Sequence, residues 1–105
     1  MMMRVAKGHE NVFIDCGFSL AEAENLRIRS RMMQALIVHI RVKKLNRTKA
    51  AQMMGVPQPR ISDLKRGKIG LFTVDTLVNM AASIGLKVDL DIRPVRARSK
   101  PKRVA

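Results

Sequence analysis

Between Ser19 and Met54 the chain has neither glycine nor proline, and Leu26, Met33, Leu36, Ile37 and Ile40 recur at three- to four-residue spacing. That spacing predicts a helix with one buried face. Ser19 followed by Glu22 makes a capping box, and Phe18 stands where a hydrophobic staple residue would, which places the helix start. Carried unbroken to Lys44 the helix would span roughly 39 Å, long enough to bend, and its second half, residues 31–44, is the part expected to pack into the domain. Leu45-Asn46 breaks the pattern. Asn46 can cap a second helix over Arg47–Met54, which offers Ala50, Ala51 and Met54 for burial, and Gly55 can end it in the left-handed conformation.

The stretch Gly55-Val56-Pro57-Gln58-Pro59-Arg60 looks built to break helices, yet Arg60 to Gly67 continues with helical spacing. The conflict dissolves if a helix begins near Gln58. The first N–H groups of a helix have no intrahelical acceptor, so Pro57 at the cap and Pro59 in the first turn lose nothing there. Ile61 and Leu64 then point inward, Gly67 is the stop, and the other side chains face out. Further on, Thr73 can cap a helix from Val74 to about Ile84, with Leu77, Val78, Ala81 and Ile84 for the core and Gly85 after it. Leu86–Arg93 alternates apolar and charged residues, the pattern of a half-buried strand. A lone strand needs a partner, and none is visible elsewhere in the chain, so Leu86, Val88, Leu90 and Ile92 are expected to pair with the same strand of a second copy.

This divides the chain into an irregular N-terminal arm (1–18), a helical domain with its closing strand (19–93) and a basic tail (94–105). The chain of 105 residues fits a single domain. The triple Met1-Met2-Met3 leaves the start methionine open. One cysteine, Cys16, forms no intramolecular disulfide, and without a signal peptide the expected location is cytoplasmic. The longest apolar run, residues 32–40, is short of the roughly 20 residues that cross a bilayer, so no membrane partner is expected.

Charge changes the picture most. The net charge is +13, and it is segregated. Residues 41–68 carry nine basic side chains against one acid, Asp63, and the tail adds five more bases, while the remainder is balanced. Such a surface suits a polyanion. A two-turn helix, a short turn and a second short helix with a polar, basic outer face make a helix-turn-helix, whose second helix enters the major groove N-terminus first. Gln58 can contact adenine, Arg60 can fork onto guanine, and Ser62 and Asp63 are further candidates for bases. Asp63 can equally orient Arg60 or Arg66. Arg47 and Lys49, at a helix start, and Lys65, Arg66 and Lys68 are candidates for phosphates.

From Asn46 to Val56, and from Gln58 through Ser62-Asp63-Leu64 to Arg66-Gly67-Lys68, the sequence resembles the XRE-type helix-turn-helix of phage repressors and their relatives. It is most similar to the HigA-like branch, the antitoxins of toxin–antitoxin pairs. Asn11–Phe18, Phe72–Leu77 and Leu86–Arg93 resemble segments of that branch, so the likeness covers about residues 11–93. The resemblance implies a mainly α, lambda-repressor-like bundle of about five helices with one C-terminal strand that pairs in a dimer. It also implies an autorepressor of double-stranded operator DNA with a RelE-like toxin partner. Residues at the positions of Gln58, Arg60, Ser62 and Asp63 face DNA in this family, and that of Arg47 touches the backbone. Two departures are Pro57, where relatives often carry a small polar cap, and the charge, since many antitoxins are acidic. A stand-alone XRE-type regulator is the near alternative. A non-specific nucleic-acid binder is a further one, although Phe13, Phe18 and Phe72 are the only aromatics for stacking.

Catalytic and metal chemistry find little support. His9, Cys16 and His39 are scattered, Asp89 and Asp91 share a strand face without a third ligand, and there is no phosphate-binding glycine loop. The expectation is a binding protein with no cofactor, not an enzyme.

Overall fold

A computed structural model describes residues 12–94. Its helices are α1 (Val12–Asp15, a single turn), α2 (Leu20–Val42), α3 (Arg47–Met54), α4 (Gln58–Lys65) and α5 (Val74–Ser83), with a 3₁₀ turn at Ile69–Leu71 between the last two. Four of these helices have eight residues or more. The first eleven residues, which make up most of the expected N-terminal arm, and the basic tail after Pro94 lie outside the described residues.

Local chemistry sets the helix starts where the pattern places them. Ser19 Oγ accepts from the Glu22 N–H at 3.2 Å and the Glu22 carboxylate accepts from the Ser19 N–H at 3.3 Å. Asn46 Oδ1 accepts from the Lys49 N–H at 2.7 Å, and Thr73 Oγ1 from the Thr76 N–H at 3.1 Å. Phe18, just before the α2 cap, meets Phe13 edge to face at 6.2 Å.

The helix ends share one device. After α3, α4 and α5 a glycine takes positive φ (Gly55, Gly67, Gly85), and the N–H that follows it returns to a carbonyl five residues back. This is the Schellman closure, and it satisfies carbonyls that the helix leaves unpaired. Helix α2 ends the same way without a glycine. Lys44 sits at φ 55°, its N–H donates to Arg41 O, and the Leu45 N–H donates to Ile40 O. Leu45, Val56 and Leu86, the residues after three of these closures, pack against the core. The gain from that packing is what holds a lysine in a conformation disfavoured for a residue with a Cβ.

The core joins the second half of α2 (Met33, Leu36, Ile40) to Ala50, Ala51, Met54, Ile61, Leu64, Phe72 and the inner edge of α5. Phe72 is the largest side chain fully buried. On α5 the buried stripe is Leu77, Met80, Ala81 and Ile84, spaced i, i+3, i+4, i+7. Val78, expected inside, is 36 % exposed because it lies one position off that stripe.

The expected C-terminal strand is corrected. Among the described residues there is no strand, and residues 86–94 are irregular. Leu86 turns back to close α5 through its N–H to Ala81 O at 2.8 Å, while Leu90 and Ile92 are 78 % and 89 % exposed and Val88 is also exposed. Alternation alone does not make a strand: the ladder needs an edge, and the described residues of one chain offer none. The dimer is not part of this single-chain structure.

Replacing Lys44 with glycine should relieve the left-handed strain at α2's end. The expected gain is about 1 kcal/mol, or a thermal midpoint higher by about 4–8 °C. Thermal unfolding followed by circular dichroism checks this, and a midpoint that stays level or drops would mean Lys44 is not strained.

Candidate nucleic-acid interface

The geometry of α3 and α4 follows from small residues and a rigid joint. Ala50 and Ala51 on α3 are buried with Ile61 and Leu64 on α4, and their short side chains let the two helices approach closely. Gly55 at φ 68°, ψ 34° reverses the chain, and Pro57 at φ −69°, ψ 153° starts α4 without a side-chain cap. Pro59 occupies the first turn, and the Arg60 N–H reaches Pro57 O at 3.0 Å.

With about 100° per residue, the inward direction set by Ile61 and Leu64 puts Pro59, Ser62, Asp63 and Arg66 on the opposite side of α4. Gln58 stands at the edge of that face, and Arg60 and Lys65 stand on the flanks. The structure has a shallow concavity of about 360 Å³ there, lined by Arg47, Gln58, Pro59, Ser62, Asp63 and Arg66. Arg47 reaches into it from α3, donating from Nη1 to Ser62 Oγ at 3.1 Å. Lys68 lies 4.0 Å from the Asp63 carboxylate. Three of the four expected base-facing residues therefore converge, joined by two arginines expected at phosphates. Lys65, on the flank of α4, is exposed, and so is Lys49 on α3.

Arg60 is the exception. Its Nη1 donates to Leu71 O at 3.2 Å, and its guanidinium carbon lies 5.4 Å from the centre of the Phe72 ring. It is directed along the protein toward the 3₁₀ turn, away from the concavity. A second arginine holds the same turn. Arg29 of α2 donates from Nη1 to both Ile69 O and Phe72 O at 3.1 Å, with its Nε on Asn25 Oδ1 at 2.6 Å. The bracing role of Arg29 left no mark in the sequence pattern, since its partners are far along the chain. Arg60's flank position, by contrast, is visible in the phase of Ile61 and Leu64.

A compact pair of helices at a tight turn, the second with a polar and basic exposed face, defines a DNA-binding helix-turn-helix protein. Residues 12–93 match a family model described as a helix-turn-helix domain, and by that match over most of its length the chain belongs to this family. No curated protein matches it. Among the described residues no helix is long and apolar enough to cross a membrane.

Substituting Arg29 with leucine removes the donor shared by two turn carbonyls. A hydrogen bond from a charged donor contributes about 1.5–3 kcal/mol, and a loss of that size is expected in urea unfolding, with Ile69–Phe72 amides losing exchange protection first. Unchanged stability would mean that Arg29 does not brace the turn.

Proposed function

We propose that this protein is a sequence-specific, double-stranded-DNA-binding transcriptional regulator, cytoplasmic and without catalytic activity, which represses its own operon as an XRE-type, HigA-like antitoxin. The observation that carries the DNA-reading part is the convergence of Gln58, Ser62 and Asp63 with Arg47 and Arg66 on one exposed face of α4. Side chains of these types match base edges in the major groove: amide to adenine and carboxylate to cytosine. Lys49, Lys65, Arg66 and Lys68, all exposed, are the residues assigned to phosphate contacts, which set register without reading sequence.

Two copies are required in this reading, since helix-turn-helix dimers address half-sites about 34 Å apart. Val88, Leu90 and Ile92 alternate along the sequence and are exposed, suited to pairing with a second copy, and Leu86 anchors the segment against the core at the end of α5. For a RelE-like toxin, the surface proposed is the region of Phe18 and the start of α2, where Leu20 is 74 % exposed and Phe18, Ala21 and Leu26 line a shallow groove. The strongly basic charge favours a second reading, a stand-alone XRE-type regulator with no toxin. A short neighbouring reading frame that stops growth when expressed alone, and is neutralised by this chain, separates the two.

The first test is binding to the duplex immediately upstream of the gene and to a scrambled duplex across a salt series. The upstream duplex should keep its advantage as salt rises, and Gln58→Ala should remove about 1–3 kcal/mol of that advantage while leaving the scrambled duplex unaffected. Lys68→Ala should weaken both alike and reduce the salt slope by about 1. If both duplexes weaken together in the wild type, the charge alone binds and the regulator reading fails. Sedimentation equilibrium tests the dimer: a species of about twice 11.8 kDa is expected, reduced to monomer by Leu90→Lys. A wild-type chain that stays monomeric at high concentration ends the strand-pairing proposal.

A further inference from the structure

Two arginines are the strongest candidates to read guanine, and they occupy very different places. Arg60 lies on the recognition helix itself, where sequence alone puts a base-reading arginine. Yet it is half-buried, its Nη1 is occupied by Leu71 O, and its guanidinium is against Phe72. Releasing it would cost a charge-assisted hydrogen bond and a cation–π contact together. Arg47 belongs to the neighbouring helix, where an arginine at the helix start is expected to touch phosphate. Its Nη1 instead donates to Ser62 Oγ, on the outward side of α4 and within the same concavity as Gln58 and Asp63.

We infer that Arg47 is the guanine-reading arginine of this protein, carried in from α3 and held over the recognition helix by Ser62, and that Arg60 is an internal brace of the 3₁₀ turn. A guanidinium has five N–H donors in a rigid plane. The Ser62 hydroxyl takes one and fixes the direction of the side chain. The remaining donors keep the fork that matches O6 and N7 of guanine. A flexible arginine would lose rotamer freedom on binding; one already held by Ser62 gives up less. Ser62 is then a positioning residue, and the specificity it provides passes through Arg47.

This inference rests on the proposed DNA-reading function, and the test separates the two. Wild-type protein and the variants Arg47→Lys, Ser62→Ala and Arg60→Lys are each used to enrich binders from a randomised duplex library. Affinities for the enriched duplex and for its single-base-pair variants are then measured. Lysine keeps the charge and a phosphate contact and loses the fork. With Arg47→Lys, the preference for guanine at one position of each half-site should fall about tenfold, with the other positions and the salt slope unchanged. Ser62→Ala should relax that same position, and Arg60→Lys should leave the whole preference intact. Should Arg47→Lys keep the full preference, or Arg60→Lys be the variant that loses guanine, the assignment is overturned. Relaxation of a different position by Ser62→Ala overturns the anchoring role. If the wild type enriches no motif, the regulator reading itself fails, an outcome distinct from all of these because it needs no variant.

Discussion

The seating of Phe72 governs how the recognition helix is held. Helix α4 has eight residues and buries only Ile61 and Leu64, too little to be stable by itself, since short isolated helices are marginal in water. Its position comes from what it leans on. Phe72 is wholly buried in the link between α4 and α5, and the link must pass over apolar core with its carbonyls still satisfied, because unpaired buried backbone groups are costly. Arg29 meets that demand at the part-buried Ile69 O and Phe72 O, and Arg60 adds a bond to the exposed Leu71 O. The ring, the turn and the two guanidinia form one unit. Arg60 is therefore part of the scaffold in this chain, and the formal charge of the helix-turn-helix overstates what is free to meet a polyanion.

The joint between α3 and α4 applies the same economy with different means. Alanines at 50 and 51 let the helices come close, Gly55 turns the chain sharply, and Val56 fills the gap behind it. No polar side chain caps α4. Proline geometry replaces it, so the entrance of the helix is held by covalent ring constraint and one backbone hydrogen bond, and the polar side chains nearby stay available.

Features decided by near neighbours along the chain are legible in the sequence itself. The caps at Ser19, Asn46 and Thr73, the glycine stops at 55, 67 and 85, and the proline-stiffened start of α4 all depend on interactions within about five residues. Where the deciding partner is distant, the pattern misleads or stays silent. Lys44 takes a conformation that local propensity disfavours because Leu45 packs into the core. The alternation of 86–93 describes which faces would differ in a strand, and says nothing about whether an edge exists to pair with. Met80 and Val78 compete for one stripe, and only the phase of Leu77, Ala81 and Ile84 taken together assigns it to Met80. At the site, the helix phase places Gln58, Ser62 and Asp63, and Arg60 on the flank. It does not give the reach of Arg47 across to Ser62, which joins residues on different helices.

The two prolines at the start of α4 have a consequence for how such a protein could diversify. Because ring geometry and the core residues Ile61 and Leu64 hold the backbone there, the outward positions 58, 62 and 63 carry little of the folding burden. In the DNA-reading role proposed above, exchange of those side chains alters which duplex is preferred while the helix beneath them keeps its shape. On that proposal, recognition and folding rest on largely separate sets of residues, and a change of target need not pass through an unfolded intermediate.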